Sequence, residues 1–345
     1  MKILHLLQSN HFSGAENVVC QIVDMMGVHP QYEMVYCSPD GQIRQALQER
    51  GVTFVPVEKW SVSGLQKMFR EQKPDVIHAH DMGASFWASL ACGKTPIISH
   101  IHNNAMDSRG VSLKSIAYYL STRKARHIFW VSNSAYEGYR FHKRLKKKSS
   151  VLYNIINIDS LYRRMERDQG SYPYDIVYLG RFSYPKHPQR LMQVLAKVVE
   201  RKPDVKIALV GQGELEEETK ALCGELKLND HVSFLGFQSN PLKILHDAKL
   251  MIMTSRWEGL PMCSLEAMAL GVPIVSTPTD GLREVVADGQ TGFLSAVDDV
   301  LAESCVKILS SDELRKAMSE ASLERFREMN NAEKYCNALI DAYQK

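Results

Sequence analysis

From Lys2 to Leu294, short apolar runs alternate with amphipathic stretches of helical period, and that alternation leaves few folds open. The runs Lys2–Leu7, Tyr32–Ser38, Thr53–Val57 and Pro74–Ala79 read as strands, with helical segments at Asn17–Met26, Ile43–Glu49 and Gly64–Glu71 between them. Strands alternating with helices imply an α/β fold with a doubly wound parallel sheet. The pattern continues through strands at Pro96–Ile101, Ile128–Ser132 and Val151–Asn154, with an exit loop expected to reach Asn104. It restarts at Asp175–Gly180 and runs through Val205–Val210, Val232–Phe237, Leu250–Thr254 and Pro273–Ser276, after which Asp280–Glu284 reads as a turn. Two such halves suit 345 residues as two domains. We place the first at 1–165 with the final helix, 331–345, and the second at 172–330. The charged, Pro/Gly-bearing Leu161–Tyr174 reads as the linker.

One stretch concentrates chemistry. The apolar run Leu250–Thr254 leads into Arg256-Trp257-Glu258-Gly259-Leu260-Pro261, and Met262–Leu270 then reads as a helix ended by Gly271 and Pro273. Glu258 therefore falls in the loop at a strand's C-terminal end, and Glu266 in the early turns of the following helix. That edge of an open α/β sheet is where ligands bind. Loop amides at Gly259, Leu260 and Pro261's helix start suit a phosphate, and each carboxylate accepts from vicinal hydroxyls. Phosphate and hydroxyls together point to a nucleotide sugar.

Other strand ends carry matching features. Gly180-Arg181-Phe182-Ser183-Tyr184-Pro185-Lys186 sets two cations at one edge, able to neutralise a leaving diphosphate without a metal. Ser13-Gly14-Ala15-Glu16 follows the first strand and precedes a helix, a phosphate-cradle layout. Gly211-Gln212-Gly213 lacks the third glycine of a dinucleotide fingerprint and reads as a tight turn. Ala88 stands where a P-loop before Gly93-Lys94-Thr95 requires glycine. His78 and His80 end a strand two residues apart; with no third ligand evident, a structural pair is favoured over a metal site. His102 lies just past its apolar run, with His100 as the competing register.

The run Glu-Gly-Leu-Pro followed by Leu-Glu-Ala-Met-Ala, with glutamates eight apart, resembles the signature of family-four retaining glycosyltransferases of the GT-B fold. The chain is most similar to the bacterial polysaccharide and capsule branch. Asp75–His80, the Arg181/Lys186 pair and the Gly-x-Gly-x-Leu turn resemble that family too. Ser13, Ile155 and Asn157 depart from it where the family has Gly, Gly and Asp.

The resemblance implies two facing Rossmann-like domains with parallel sheets, and a C-terminal helix crossing back to the N-domain. It implies transfer of a hexose from a nucleoside diphosphate sugar, most simply a UDP-sugar, with retention, to a glycan or polyprenyl-diphosphate-linked acceptor. In that reading Arg181 and Lys186 stabilise the diphosphate, Glu258 and His102 contact the donor sugar, and Glu266 holds the ribose. Gly14, Gly211, Gly213, Gly236, Phe237, Gly259, Leu260 and Pro261 line the nucleotide. No Asp-x-Asp occurs, so neither a metal nor another cofactor is expected. A nucleotide-sugar 2-epimerase and a nonenzymatic sugar-nucleotide or polysaccharide-binding subunit are the competing readings.

Composition bounds the partners. A net charge of +3 sets no global bias, and seven cysteines without Cys-x-x-Cys suggest reduced thiols in the cytosol. The apolar start is too short for a signal peptide, and no run approaches the ~18 apolar residues of a membrane span. A cytoplasmic protein is expected, peripheral at most on the inner face of the membrane. Arg123–Lys148 holds nine Lys or Arg against one acidic residue, Glu137, which suits anionic lipid headgroups. No nucleic-acid motif accompanies it.

Overall fold

The computed structural model describes residues 1–103 and 105–345; Asn104, at the end of the expected exit loop, lies outside them. The chain forms two compact units, Met1–Asn157 with Asn331–Lys345, and Ile158–Asn330.

The first unit is built on β1 (Lys2–Leu6), β2 (Glu33–Ser38), β3 (Phe54–Pro56), β4 (Val76–His80), β5 (Ile97–Ile101), β6 (Ala125–Trp130) and β7 (Ser149–Val151). All pair in parallel, in the order β3-β2-β1-β4-β5-β6-β7. The second holds β8 (Ile176–Leu179), β9 (Ile207–Val210), β10 (Val232–Gly236), β11 (Leu250–Met253), β12 (Ile274–Ser276) and β13 (Gly292–Leu294), also parallel, in the order β10-β9-β8-β11-β12-β13. Parallel strands covered on both faces are near-continuous apolar runs. Accordingly β9 and β11 are buried along their whole length. The order reverses between β1 and β4 and again between β8 and β11, so each sheet has one switch point where exit loops part and leave a crevice.

Three expectations change. Leu161–Glu166, the first part of the expected linker, belongs instead to the helix Ile158–Glu166, whose one buried residue is Leu161. Asp280–Glu284, expected as a turn, begins the helix Asp280–Val285. Gly281 occurs there because a Cβ would lie 1.8 Å from the carbonyl oxygen of Gly259. The first helix starts at Gly14 rather than Asn17, because Glu16 turns back to accept from the Ser13 amide (3.1 Å) and hydroxyl (2.5 Å), holding its first turn. The helix Ala332–Gln344 belongs to the first unit. Its Tyr343 hydroxyl meets His78 Nδ1 at 2.8 Å, and its Tyr343 carbonyl accepts from Arg126 at 2.9 Å.

Candidate active site

In the second unit the switch point is flanked by the exit loops of β8 and β11, which carry Arg181, Lys186 and Glu258. The loops are stitched together. The Arg256 amide donates to the Pro185 carbonyl at 2.7 Å, and the Arg256 guanidinium lies 4.4 Å from the Tyr184 ring centre. Thr254 Oγ1 donates to the His187 carbonyl at 3.2 Å. From β12's exit, Thr277 Oγ1 reaches the Ser255 carbonyl at 2.8 Å.

Across this seam Lys186 Nζ donates to Glu258 Oε1 at 2.6 Å, and Ser255 Oγ donates to the same oxygen at 2.5 Å. Burial works against the charge on Lys186, but the adjacent Glu258 carboxylate outweighs it and raises the ammonium above its ordinary pKa. The helix Met262–Ala269 starts directly after Pro261 without a side-chain cap; the Ser264 amide donates to the Pro261 carbonyl at 3.1 Å, and the amides ahead of it sit at the helix start, where an anion is favoured. Glu266 is buried on that helix. Cys263 lies beside them, its thiol pushed up to about 12 by burial despite the pull of Lys186, so it is a neutral lining group.

The two cations differ. Arg181 is exposed and bridges Glu214 at 3.5 Å, yet lies near enough to Lys186 for their charges to interact. Gly211 and Gly213 act through the backbone: a Cβ at Gly211 would lie 1.9 Å from the Gly180 oxygen, and one at Gly213 2.2 Å from the Phe182 oxygen. These glycines let the β9 exit loop back the loop that carries Arg181. The Gly211 amide in turn donates to the Gly236 carbonyl at 2.9 Å, and Phe237 beyond it is exposed.

In the first unit Gly14 opens the helix Gly14–Met26, beside a cavity of about 250 Å³ at the switch point of that sheet. Its lining includes Ser9, Glu16, His80, Asp81, Asn103 and Lys114. Burial raises the pKa of Glu16, opposed by the Ser13 hydrogen bond and helped by the Asp81 charge. His102 lies just past β5, and its amide donates to Asp81 Oδ1 at 2.8 Å.

The sheet also assembles a histidine cluster that local sequence reading misses, because parallel register sets His5 beside His78 and His80 beside His100. Two triads, His5/His78/His80 and His80/His100/His102, each bring ligand-capable atoms within 4.8 Å of one another, so His5 stands as a candidate third ligand beside the His78/His80 pair. The bonding runs along a different line. His5 Nδ1 meets His80 Nε2 at 3.0 Å with ring centres 5.2 Å apart, and His80 Nδ1 meets His102 Nε2 at 2.8 Å with ring centres 5.0 Å apart. Centres so much further apart than the bonded nitrogens mean rings that meet edge to edge, the geometry of N–H···N bonds. Both nitrogens of His80 are thereby engaged. Burial lowers the pKa of all five rings, that of His5 to about 3.

Comparison with known proteins agrees with this geometry. The model of "Glycosyl transferases group 1" matches residues 164–325, and that of "Glycosyltransferase Family 4" matches residues 13–160. The chain belongs to the family-four glycosyltransferases of the GT-B fold. It is similar to the capsular polysaccharide biosynthesis glycosyltransferase CapH of Staphylococcus aureus, at 24% identity over 77% of this chain and 78% of that one. It is also similar to the N-acetylgalactosamine-N,N'-diacetylbacillosaminyl-diphospho-undecaprenol 4-alpha-N-acetylgalactosaminyltransferase of Campylobacter jejuni, at 30% identity over 52% of this chain and 49% of that one. Among solved structures, Anabaena HepE in complex with UDP-glucose superposes with a TM-score of 0.85 at 20% identity, covering 100% of this chain and 99% of that one. At that identity the likeness speaks for the fold.

Proposed function

We propose that this glycosyltransferase moves a hexose from a UDP-sugar to a glycan or polyprenyl-diphosphate-linked acceptor in polysaccharide assembly, with retention at the anomeric carbon and without a divalent metal. The observation that carries the reading is the Lys186–Glu258 pair at the β8/β11 switch point, beside a helix start and the buried Glu266. Lys186, joined by Arg181, supplies fixed positive charge for the leaving diphosphate, which is the work a metal does elsewhere. The helix start that follows Pro261 adds backbone donors to the same phosphates. Glu258 keeps its second oxygen for sugar hydroxyls, and Glu266 holds the ribose. His102 contacts the sugar. With Cys263 held neutral, retention proceeds by departure and attack on one face through an oxocarbenium-like state, the leaving phosphate taking the acceptor proton. The UDP-glucose complex of HepE and the undecaprenol-linked substrate named for the Campylobacter jejuni relative support the choice of donor and acceptor classes.

The test is a thermal-shift screen of UDP, GDP, ADP and their sugars. A ligand at ~100 times its dissociation constant adds about 2.7 kcal/mol of stability. Stabilisation by UDP and one UDP-sugar supports the reading, and preference for GDP or ADP overturns the base. Proton NMR of the product of the first active acceptor then reports the anomeric configuration, and a β-linked product from an α-donor overturns retention.

A further inference from the structure

The helix Leu113–Ser121 wears its apolar side outward. Ser115, Tyr118 and Ser121 face the protein and are buried, whereas Leu113 is 89%, Leu120 48% and Ile116 39% exposed. Leu113, Ile116 and Leu120 recur at the spacing of one helix face. The inward side is anchored by polar bonds: the Tyr118 hydroxyl lies 2.9 Å from Ser99 Oγ, and the Ser115 carbonyl accepts from the Tyr139 hydroxyl at 2.7 Å. Met106 and Val111, just before the helix, are exposed as well. Exposed apolar side chains grouped on one helix face are the kind of surface that marks an interaction site.

A basic rim adjoins it. The Arg140 amide donates to the Ser108 carbonyl at 3.0 Å, the Arg144 guanidinium lies 5.8 Å from the Tyr119 ring centre, and the Lys148 ammonium donates to the Thr122 carbonyl. Segment 140–148 therefore packs against this helix and the turn that follows it. Arg123, Lys124, Arg140, Lys143, Lys146 and Lys147 stay exposed around it. Between Met106 and Lys148 stand eleven Lys or Arg and two acidic residues, whereas the rest of the chain carries a net charge of −6.

We propose that this face docks on an anionic membrane surface, with Leu113, Ile116 and Leu120 entering the boundary between headgroups and acyl chains and the basic rim lying over anionic headgroups. A second copy is the poorer occupant. A two-fold interface sets a patch against itself, and here it would press two strongly positive rims together. The proposal is independent of the donor reading, since membrane binding is measured without turnover.

The experiment is flotation of the full chain with vesicles of neutral phosphatidylcholine and with vesicles that also contain phosphatidylglycerol, at low and high salt. Binding should favour the anionic vesicles and weaken with salt. Lys143→Glu, Lys146→Glu and Lys147→Glu combined should weaken it by roughly hundredfold or more, at about fivefold for each charge lost near the surface. Leu113→Ser, Ile116→Ser and Leu120→Ser combined should abolish the part of binding that resists salt, with far-UV circular dichroism showing the fold retained and the melting temperature only modestly lowered, since Ile116 and Leu120 are half covered. Tryptophan at position 113, introduced as Leu113→Trp, should shift its emission to the blue on anionic vesicles. Equal binding to both vesicles, or no emission shift, overturns the proposal. So does a dimer in solution that the serine variant converts to monomer, since a second copy would then own the face.

Discussion

Lys186 Nζ and Glu258 Oε1 lie 2.6 Å apart, and the carboxylate holds the buried ammonium above its ordinary pKa although burial disfavours its charge. Removing either partner leaves the other unpaired, so both catalysis and stability should respond. Lys186→Met should lower kcat by an amount worth about 2–4 kcal/mol of barrier, as the loss of preorganised charge stabilisation does. Urea unfolding should show the Lys186→Met/Glu258→Gln double variant to be less destabilised than the two single variants added together. Additive losses would mean that the ion pair contributes nothing to the folded state.

Arg181 is exposed and bound only loosely to Glu214. Arg181→Ala should leave the unfolding midpoint where it is while lowering turnover with the donor. Unchanged kcat would confine the cationic work to Lys186.

In the proposed function Glu258 takes the donor sugar and Glu266 the ribose. Losing one charge-assisted hydrogen bond costs about 1.5–3 kcal/mol, roughly 10- to 150-fold in affinity. Glu266→Gln should therefore weaken UDP and UDP-sugar alike, whereas Glu258→Gln should spare UDP and penalise the intact donor. Calorimetry with both ligands on both variants decides, and equal weakening of bare UDP by the two substitutions contradicts the division.

Activity should persist in excess EDTA. Loss of activity on chelation, restored by Mn²⁺ or Mg²⁺, would replace the Lys186/Arg181 account and direct attention to the His5/His78/His80 triad.

The buried histidines predict an acid-labile first unit. Their folded pKa values lie below the unfolded value near 6.5, so the unfolded chain binds more protons in acid. Stability should be fully present above about pH 7 and fall as pH drops below about 6.5, by up to about 1.4 kcal/mol per pH unit for each ring, with His5 contributing down to about pH 3. Urea titrations at stepped pH measure it, and a flat profile between neutrality and pH 5 would show that these rings take up protons in the folded state as readily as in the unfolded chain.

The strands were legible because a parallel strand buried on both faces is a near-continuous apolar run, and Leu250–Met253 is one. Glu258 and Glu266 were legible because a strand, a Gly-Leu-Pro turn and an Ala/Met-rich helix fix their places locally. The histidine cluster was not, since His5 meets His78 through sheet register across more than seventy residues. Gly281 misled in another way: its glycine suggested a turn, but what excludes a side chain there is the carbonyl of Gly259. The helix Ile158–Glu166 carries Ile158, Leu161, Tyr162 and Met165 at helical spacing, but a linker taken to begin at Leu161 cuts that stripe in two, and the charged residues between them hid it. The outward leucines of Leu113–Ser121 give the period of an ordinary core-facing helix, and only the structure shows which side faces in.

Tyr343 closes over His78 from a segment that is synthesised after the whole of the second unit. On the ribosome, the first sheet must therefore wait, with one edge of its histidine core uncovered, while more than 170 further residues are made. The second unit, continuous in sequence, can mature first. Birth order and sequence order are thus reversed, and residues 1–157 expressed by themselves should need the helix Ala332–Gln344 supplied as a separate peptide to become fully native.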